Sequence, residues 1–226
     1  MRLLAIDTSE EACSAALMID EAVTERFELA PRRHSELILP MMDSLLVDAG
    51  LAVADLDALA FACGPGSFTG VRIAASVIQG TAFGADLPVV PVSTLQALAQ
   101  GAWRERSAEA VLSALDARMQ EVYWGVYRVD PKGIMRAQTE DSVAAPSQVV
   151  VPAGGDWTGA GSGWGPYAEA LSQRCGGHPA FDAGARVHAR DVALLARQLR
   201  DEGVAVPAER ALPVYLRNEV AWAKQS

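Results

Sequence analysis

Residues 58–72 read Ala58-Leu-Ala-Phe-Ala-Cys63-Gly64-Pro-Gly-Ser-Phe-Thr-Gly-Val-Arg72, and they place three kinds of local structure end to end. The apolar run from Ala58 to Cys63 has the length and the bounding glycine of a buried strand. The uncharged segment that begins at Ile73 reads as a helix, with Ser67 and Thr69 as candidate N-caps. Between them Gly64 and Gly66, with Gly70 beyond, let the backbone take positive φ and let other groups come close. Free N–H groups and the dipole at such a helix start suit an anion or a partner's polar group. The alternative is a strand-to-helix connection with glycine for geometry alone.

Upstream, residues 3–8 form an apolar strand ending at Asp7-Thr8. Residues 13–19 and 22–29 follow as two more strands, joined at Asp20-Glu21. Asp7, at a strand end before a turn, is placed either to reach a phosphate, a metal or a water, or to cap the turn through its own backbone. From Ser35 to Ala49 the period becomes helical and carries two adjacent apolar stripes, Leu37/Met41/Leu45 and Ile38/Met42/Leu46. One stripe suffices to meet a core, so the second sits deep or meets another protein. Pro40 predicts a kink or a later start. His34 lacks a second His one turn on, since position 38 is Ile, so a metal helix is not indicated. A helix over about Thr69–Phe83, a short strand at Val89-Val90 and a helix capped by Ser93-Thr94 complete this half.

The order of parts then begins again. A shift of 109 residues lays Leu115-Asp116 on Ile6-Asp7 and Val122–Val126 on Cys13–Leu17. The Gly159-Ala-Gly161-Ser-Gly163-Trp-Gly165 stretch takes the place of Gly64-Pro-Gly66; it does not spell GxGxxG, so a dinucleotide fold is not indicated. Residues 168–175 and 191–200 read as helices, and the tail with Tyr215, Leu216 and Trp222 is expected to pack on the body. Two subdomains are expected, 1–105 and 106–226, with roughly the last 15 residues packing back on the first. The fold class is α/β: a duplicated fold with a mixed sheet and helices in each subdomain.

With 50% hydrophobic residues and mean hydropathy +0.13, the 226-residue chain can fill a core. Its 19 basic against 28 acidic residues give a charge of −9, which disfavours a self-sufficient nucleic-acid binder. The four apolar residues before Asp7 are too few for a signal-peptide core, and the charge-free run Leu87–Trp103 is broken by prolines and too short for a bilayer, so a cytoplasmic protein is expected. Cys13, Cys63 and Cys175 show no paired spacing for zinc or redox work and fit a reducing compartment.

Two copies of a three-strand, helix, strand, helix order, each with an aspartate ending its first strand, resemble the sugar kinase, Hsp70 and actin (ASKHA) group. Ala5-Ile-Asp-Thr-Ser9, Arg33-His-Ser-Glu36, Gly64–Arg72, Val92-Ser-Thr-Leu95, Asp116-Ala-Arg with Glu121-Val-Tyr-Trp124, and Pro213-Val-Tyr-Leu-Arg-Asn218 further resemble the TsaB (YeaZ) family, nearly end to end. That resemblance implies a non-catalytic scaffold and activator in the bacterial machinery that places threonylcarbamoyl on N6 of adenosine 37 in tRNA. It would pair with the transferase TsaD, with TsaE joining, and would reach tRNA only through the complex.

The first two helices would carry the partner contact, through His34, Leu37, Ile38, Met41, Met42, Leu45, Phe68, Arg72, Ala75, Ser76 and Gln79. A homodimer would form through the same face when the chain is alone. Candidate nucleotide or phosphate contacts are Asp7, Thr8, Gly64, Gly66, Ser67, Thr69 and Asp116. No metal or cofactor is expected to be required, though ATP or ADP could bind in the complex with TsaD. The alternatives are an enzyme acting alone, as a nucleotide hydrolase or a glycoprotease-like protein, or a plain nucleotide-binding regulator.

Overall fold

A computed structural model describes residues 1–217, and its backbone is a duplication. The first half opens with the antiparallel strands β1 (Arg2–Asp7), β2 (Ala12–Ile19) and β3 (Ala22–Leu29). Helix α1 (His34–Ala49), strand β4 (Ala58–Gly64), helix α2 (Phe68–Ala85), strand β5 (Val89–Ser93) and helix α3 (Thr94–Arg106) follow. The sheet order is β3-β2-β1-β4-β5, with β4 parallel to β1. The second half contributes β6 (Ala110–Asp116), β7 (Val122–Val129), β8 (Met135–Ala137), β9 (Ser142–Ala144), β10 (Thr158–Ala160), α4 (Ala168–Arg174), β11 (Phe181–Asp182) and α5 (Ala189–Asp201).

Its order, read from the other edge, is β8-β7-β6-β10-β11, with β10 parallel to β6 and β9 added on β7. Strand for strand this repeats the first sheet, and the chain has the duplicated actin-like (ASKHA) fold.

The duplication is incomplete among the helices. Where the repeat predicts a helix between the third and fourth strands of the second half, there is only a three-residue 3-10 turn, Pro146–Gln148. Pro146, Pro152, Gly154 and Gly155 in that segment deny it helical backbone. In the first half the later helix start expected from Pro40 is also corrected. α1 starts at His34 and runs through Pro40 to Ala49. Pro40 and Glu36 are both exposed, so water can take the carbonyl that the missing N–H leaves free. Strand β5 extends through Pro91, which the edge of a sheet tolerates.

Helices α3 and α5 cross between the sheets. α3, from the first half, packs on β6, β7 and β8, whereas α5, from the second, packs on β1, β2, β4 and β5. One apolar core therefore runs from Leu3, Ala60 and Val92 through Leu95 and Leu98 to Val111, Leu115, Val192 and Leu195. A half-buried ion pair fastens the crossing, with Arg104 Nε and Nη2 donating to the two oxygens of the buried Asp191 at 2.9 and 2.8 Å. The tail crosses the first half, where the Val214 amide donates to the Cys63 carbonyl at 2.7 Å. Asn218 and Trp222 lie outside the described residues.

Candidate functional site

The glycine turn after β4 is occupied by the chain itself. Ser67 caps α2, its Oγ accepting from the Gly70 amide at 3.4 Å, while Thr69 lies within the first helical turn. The Ser67 amide donates to the Ser9 carbonyl at 2.7 Å, and Thr8 Oγ1 donates to the Gly70 carbonyl at 2.7 Å. A Cβ would stand 2.6 Å from the Ser9 oxygen at Gly66 and 2.0 Å from the Thr8 oxygen at Gly70. At Gly64, where φ is +117°, it would stand 2.5 Å from the Val214 oxygen. Two of these glycines are needed for close approach and one for positive φ as well, and all three approaches are to this protein's own backbone.

Asp7 and Asp116 end corresponding strands and their turns meet through two residues that the sequence did not single out. Ser162 Oγ accepts from the Asp116 amide at 3.2 Å and donates to Glu10 Oε1 at 2.8 Å, which ties the first half to the second. Asp7 Oδ1 accepts from the Ser9 amide at 3.1 Å, so Asp7 caps its own turn. Asp7 Oδ2, Ser9 Oγ and Glu10 Oε2 are buried without a hydrogen-bond partner among the described residues. Burial, only partly offset by the neighbouring Ser9, pushes Asp7 up to about 7. Burial raises Glu10 as well, against the lowering effects of Ser162 and Arg186. A carboxyl three residues past a strand end looks solvated in sequence; its burial depends on Ser162, 152 residues away.

The interface residues expected on the helices divide by exposure. Ile38, Met42, Leu45 and Ala75 are buried in the core of the first half, and so is His34, whose Nε2 lies 3.2 Å from the Ala12 carbonyl. Leu37, Met41 and Gln79 are half-buried, while Phe68, Arg72 and Ser76 are exposed. The outward stripe continues to a residue sequence reasoning missed, Phe83, which is 82% exposed. Its spacing from Phe68, Arg72, Ser76 and Gln79, at steps of three or four, was the available signal. Near it Gly80 and Gly84 have no atom within 4 Å of a built Cβ. At the other end of the stripe the Arg72 guanidinium lies 3.6 Å from the Phe68 ring centroid, and its Nε donates to the Tyr215 hydroxyl at 2.8 Å. Among the described residues no three His, Cys, Asp or Glu side chains come together to hold a metal. No helix among them is long and apolar enough to cross a membrane.

Residues 23–158 match the model of the family described as TsaD: tRNA N6-adenosine threonylcarbamoyltransferase. The tRNA threonylcarbamoyladenosine biosynthesis protein TsaB of Escherichia coli is 45% identical, over 99% of this chain and 98% of its own length. The Haemophilus influenzae protein of the same name is 41% identical over 99% and 97%. The chain belongs to the TsaB (YeaZ) family. The solved structure of YeaZ from Pseudomonas aeruginosa, 49% identical, superposes with a TM-score of 0.90 over 95% of this chain and 99% of that one. The resemblance drawn from scattered motifs is thus an end-to-end family relationship.

Proposed function

We propose that this chain is a non-catalytic scaffold and activator in the biosynthesis of N6-threonylcarbamoyladenosine in tRNA, the process for which its relatives are named. It pairs with the transferase TsaD through the outward faces of α1 and α2, and TsaE joins the pair. The complex, in the cytoplasm, engages tRNA and ATP or ADP. The observation that carries this reading is the outward stripe of α2. The helix is already anchored by Val71, Ala74, Ala75, Ile78 and Ala82, so Phe68 and Phe83 add nothing to its own core. Exposed aromatic side chains beside open glycines give a facing helix both apolar anchors and room for close approach.

The cleft fits the same reading. Its glycines are used within the chain, and Asp7, Glu10 and Asp116 put carboxyl groups, two of them with a buried oxygen, where a phosphate would need donors.

Size-exclusion chromatography with light scattering on a mixture with TsaD tests this. The wild type is expected to form a 1:1 complex, and Phe83→Asp to lose it with an unchanged far-UV circular dichroism spectrum, because the Phe83 side chain is 82% exposed and takes no part in the core. Absence of the wild-type complex would overturn the proposal. Alone, the chain is expected to be a homodimer through the same face and Phe83→Asp a monomer. Leu45→Glu would test the core instead, since Leu45 is only 1% exposed. The hydrolase reading rests on Asp7, whose raised pKa suits proton transfer near neutrality. It predicts ATP turnover by the isolated chain that Asp7→Asn abolishes.

A further inference from the structure

Away from both the strand-end turns and the helix face, a hollow of about 440 Å3 is lined by residues of the two halves. Its lining includes Ser93 and Gln96 at the start of α3, Tyr127 on β7, and Thr139, Glu140 and Asp141 between β8 and β9. The volume lies within the roughly 300–1,000 Å3 of small-molecule sites. Two of its hydroxyls converge on one carboxyl. Ser93 Oγ donates to Asp141 Oδ2 at 2.5 Å, the Tyr127 hydroxyl donates to Oδ1, and the two hydroxyls are 3.4 Å apart. The Gln96 amide in turn donates to Ser93 Oγ at 3.3 Å.

Gly125 makes room for this arrangement, since a Cβ there would stand 2.7 Å from Asp141 Oδ1 and 2.6 Å from the Tyr127 ring. A carboxyl held in this way, by hydroxyls from both halves, is a fixed feature of the hollow. None of the described side chains lining it is basic. Two carboxyls, three hydroxyls and the amide oxygens of Gln96 and Gln138 therefore face the space with acceptors and with no permanent positive charge. An anion has nothing to pair with there. An ammonium group, with three donors and no acceptor, matches it.

We propose that this hollow binds a small aliphatic amine, its ammonium held between Asp141 and Glu140 and its third N–H accepted by one of the Ser93, Tyr127 and Thr139 hydroxyls. The site is separate from the α1–α2 face and does not depend on the scaffold reading. The test is calorimetric and amide-shift titration of the full chain with putrescine, with inorganic phosphate and acetate as anion controls. Putrescine is expected to move the Ser93, Gln96 and Thr139 amides saturably, and the anions to leave them in place. Asp141→Asn should weaken putrescine about ten-fold, the worth of one hydrogen bond to a charged group.

Because Asp141 also latches the two halves, Glu140→Gln, at an exposed position, supplies a variant that keeps the fold; it should weaken binding about two- to five-fold. No saturable shift with putrescine in the wild type overturns the proposal. So does an equal response to phosphate, or unchanged putrescine affinity in folded Asp141→Asn, which would make the triad a structural latch alone.

Discussion

The two halves share a sheet order and differ in what covers the outer face of that sheet. The first half lays α1 and α2 over it, 16 and 18 residues long. The second half keeps the seven-residue α4 and, in place of the other helix, a 3-10 turn. Its cover is aromatic instead: Trp124, Trp157 and Trp164 pack with Leu112, Val126 and Leu171. Trp124 Nε1 donates to the Val150 carbonyl at 3.0 Å and Trp164 Nε1 to the Leu112 carbonyl at 2.9 Å, so these two rings are both apolar filler and fixed straps. Gly159 leaves the space for Trp164, since a Cβ there would stand 2.4 Å from the indole. A helix layer presents a second, outward surface, whereas a layer of inward rings does not. The docking face proposed above accordingly belongs to the helix layer of the first half.

The largest effect should come from breaking the aromatic cover. Trp164→Ala is expected to cost about 3–5 kcal/mol, the range for deleting a large buried ring. Ile38→Val beneath α1 should cost about 0.5–1.5 kcal/mol. Urea unfolding midpoints measure both. If the two costs were equal, the second half would not depend on its tryptophans as the first depends on its helices.

Next is the pH dependence that burial of the first strand-end aspartate builds in. Asp7 titrates at 3.8 in the open chain and about 7 when folded. The folded state therefore holds a proton that the unfolded state releases. The stability linked to it is fully present below about pH 4, declines as pH rises through 7, and is gone above that. Three pKa units set an upper bound of about 4 kcal/mol. The neighbours facing Asp7 are Glu10, which raises it, and His188, which lowers it. Asp116, in the corresponding position of the second half, shares its amide with Ser162 and is only partly buried. Asp7→Asn should flatten the loss of stability between pH 5 and pH 8. A slope retained in Asp7→Asn would assign the dependence elsewhere, with Glu10 the first candidate.

Much of this comparison was legible in the sequence, and the illegible parts have physical reasons. The period-two strands, the glycine stretches and the 109-residue offset between Asp7 and Asp116 located both sheets, because strand alternation and turn chemistry are local. The absence of a second outer helix was foreshadowed by Pro146 and Pro152 but overridden by the expectation of symmetry. Two adjacent stripes on α1 left its orientation open. Packing turned Ile38, Met42, Leu45 and Leu46 inward and left Leu37 and Met41 at the margin, a choice made by the sheet beneath and by no feature of the helix itself. The Glu10–Ser162 and Ser93–Asp141–Tyr127 contacts join residues 152 and up to 48 positions apart, and nothing in single residue types announces them.

The glycine turns provide a smaller test of the same comparison. Gly70 faces the Thr8 carbonyl and Gly163 faces Ala114, each packing its turn on the first strand of its half. The clearances differ: 2.0 Å to a backbone oxygen at Gly70, 3.0 Å to a methyl at Gly163. Gly70→Ala must displace the β1–β2 turn and should cost about 1–3 kcal/mol, or roughly 2–10 °C in melting temperature. Gly163→Ala needs a shift of only a few tenths of an ångström and should cost less than about 1 kcal/mol. The reverse ranking would mean that the second turn, and with it the contact to Ser162, is the more rigid of the two.

The smallest expected effect concerns the tail, which among the described residues covers the first glycine turn and not the second. Its hold on Gly64 consists of the Val214 amide on Cys63, the Val214 oxygen over a glycine at positive φ, and Tyr215 gripped by Arg72. Tyr215→Phe keeps the ring against Phe68, 5.8 Å between centroids, and removes only the hydroxyl that Arg72 reaches. Tyr215 is 43% exposed, so water replaces the lost bond and global stability should change by less than about 1 kcal/mol. The local signal should be larger than the global one. Hydrogen exchange at the Val214 amide, which depends on the tail staying seated, is expected to speed up while core amides of β1 and β4 keep their rates. If the Val214 amide kept its wild-type protection, Arg72 would be free of any part in seating the tail. Its guanidinium over Phe68 would then belong wholly to the outward face of α2.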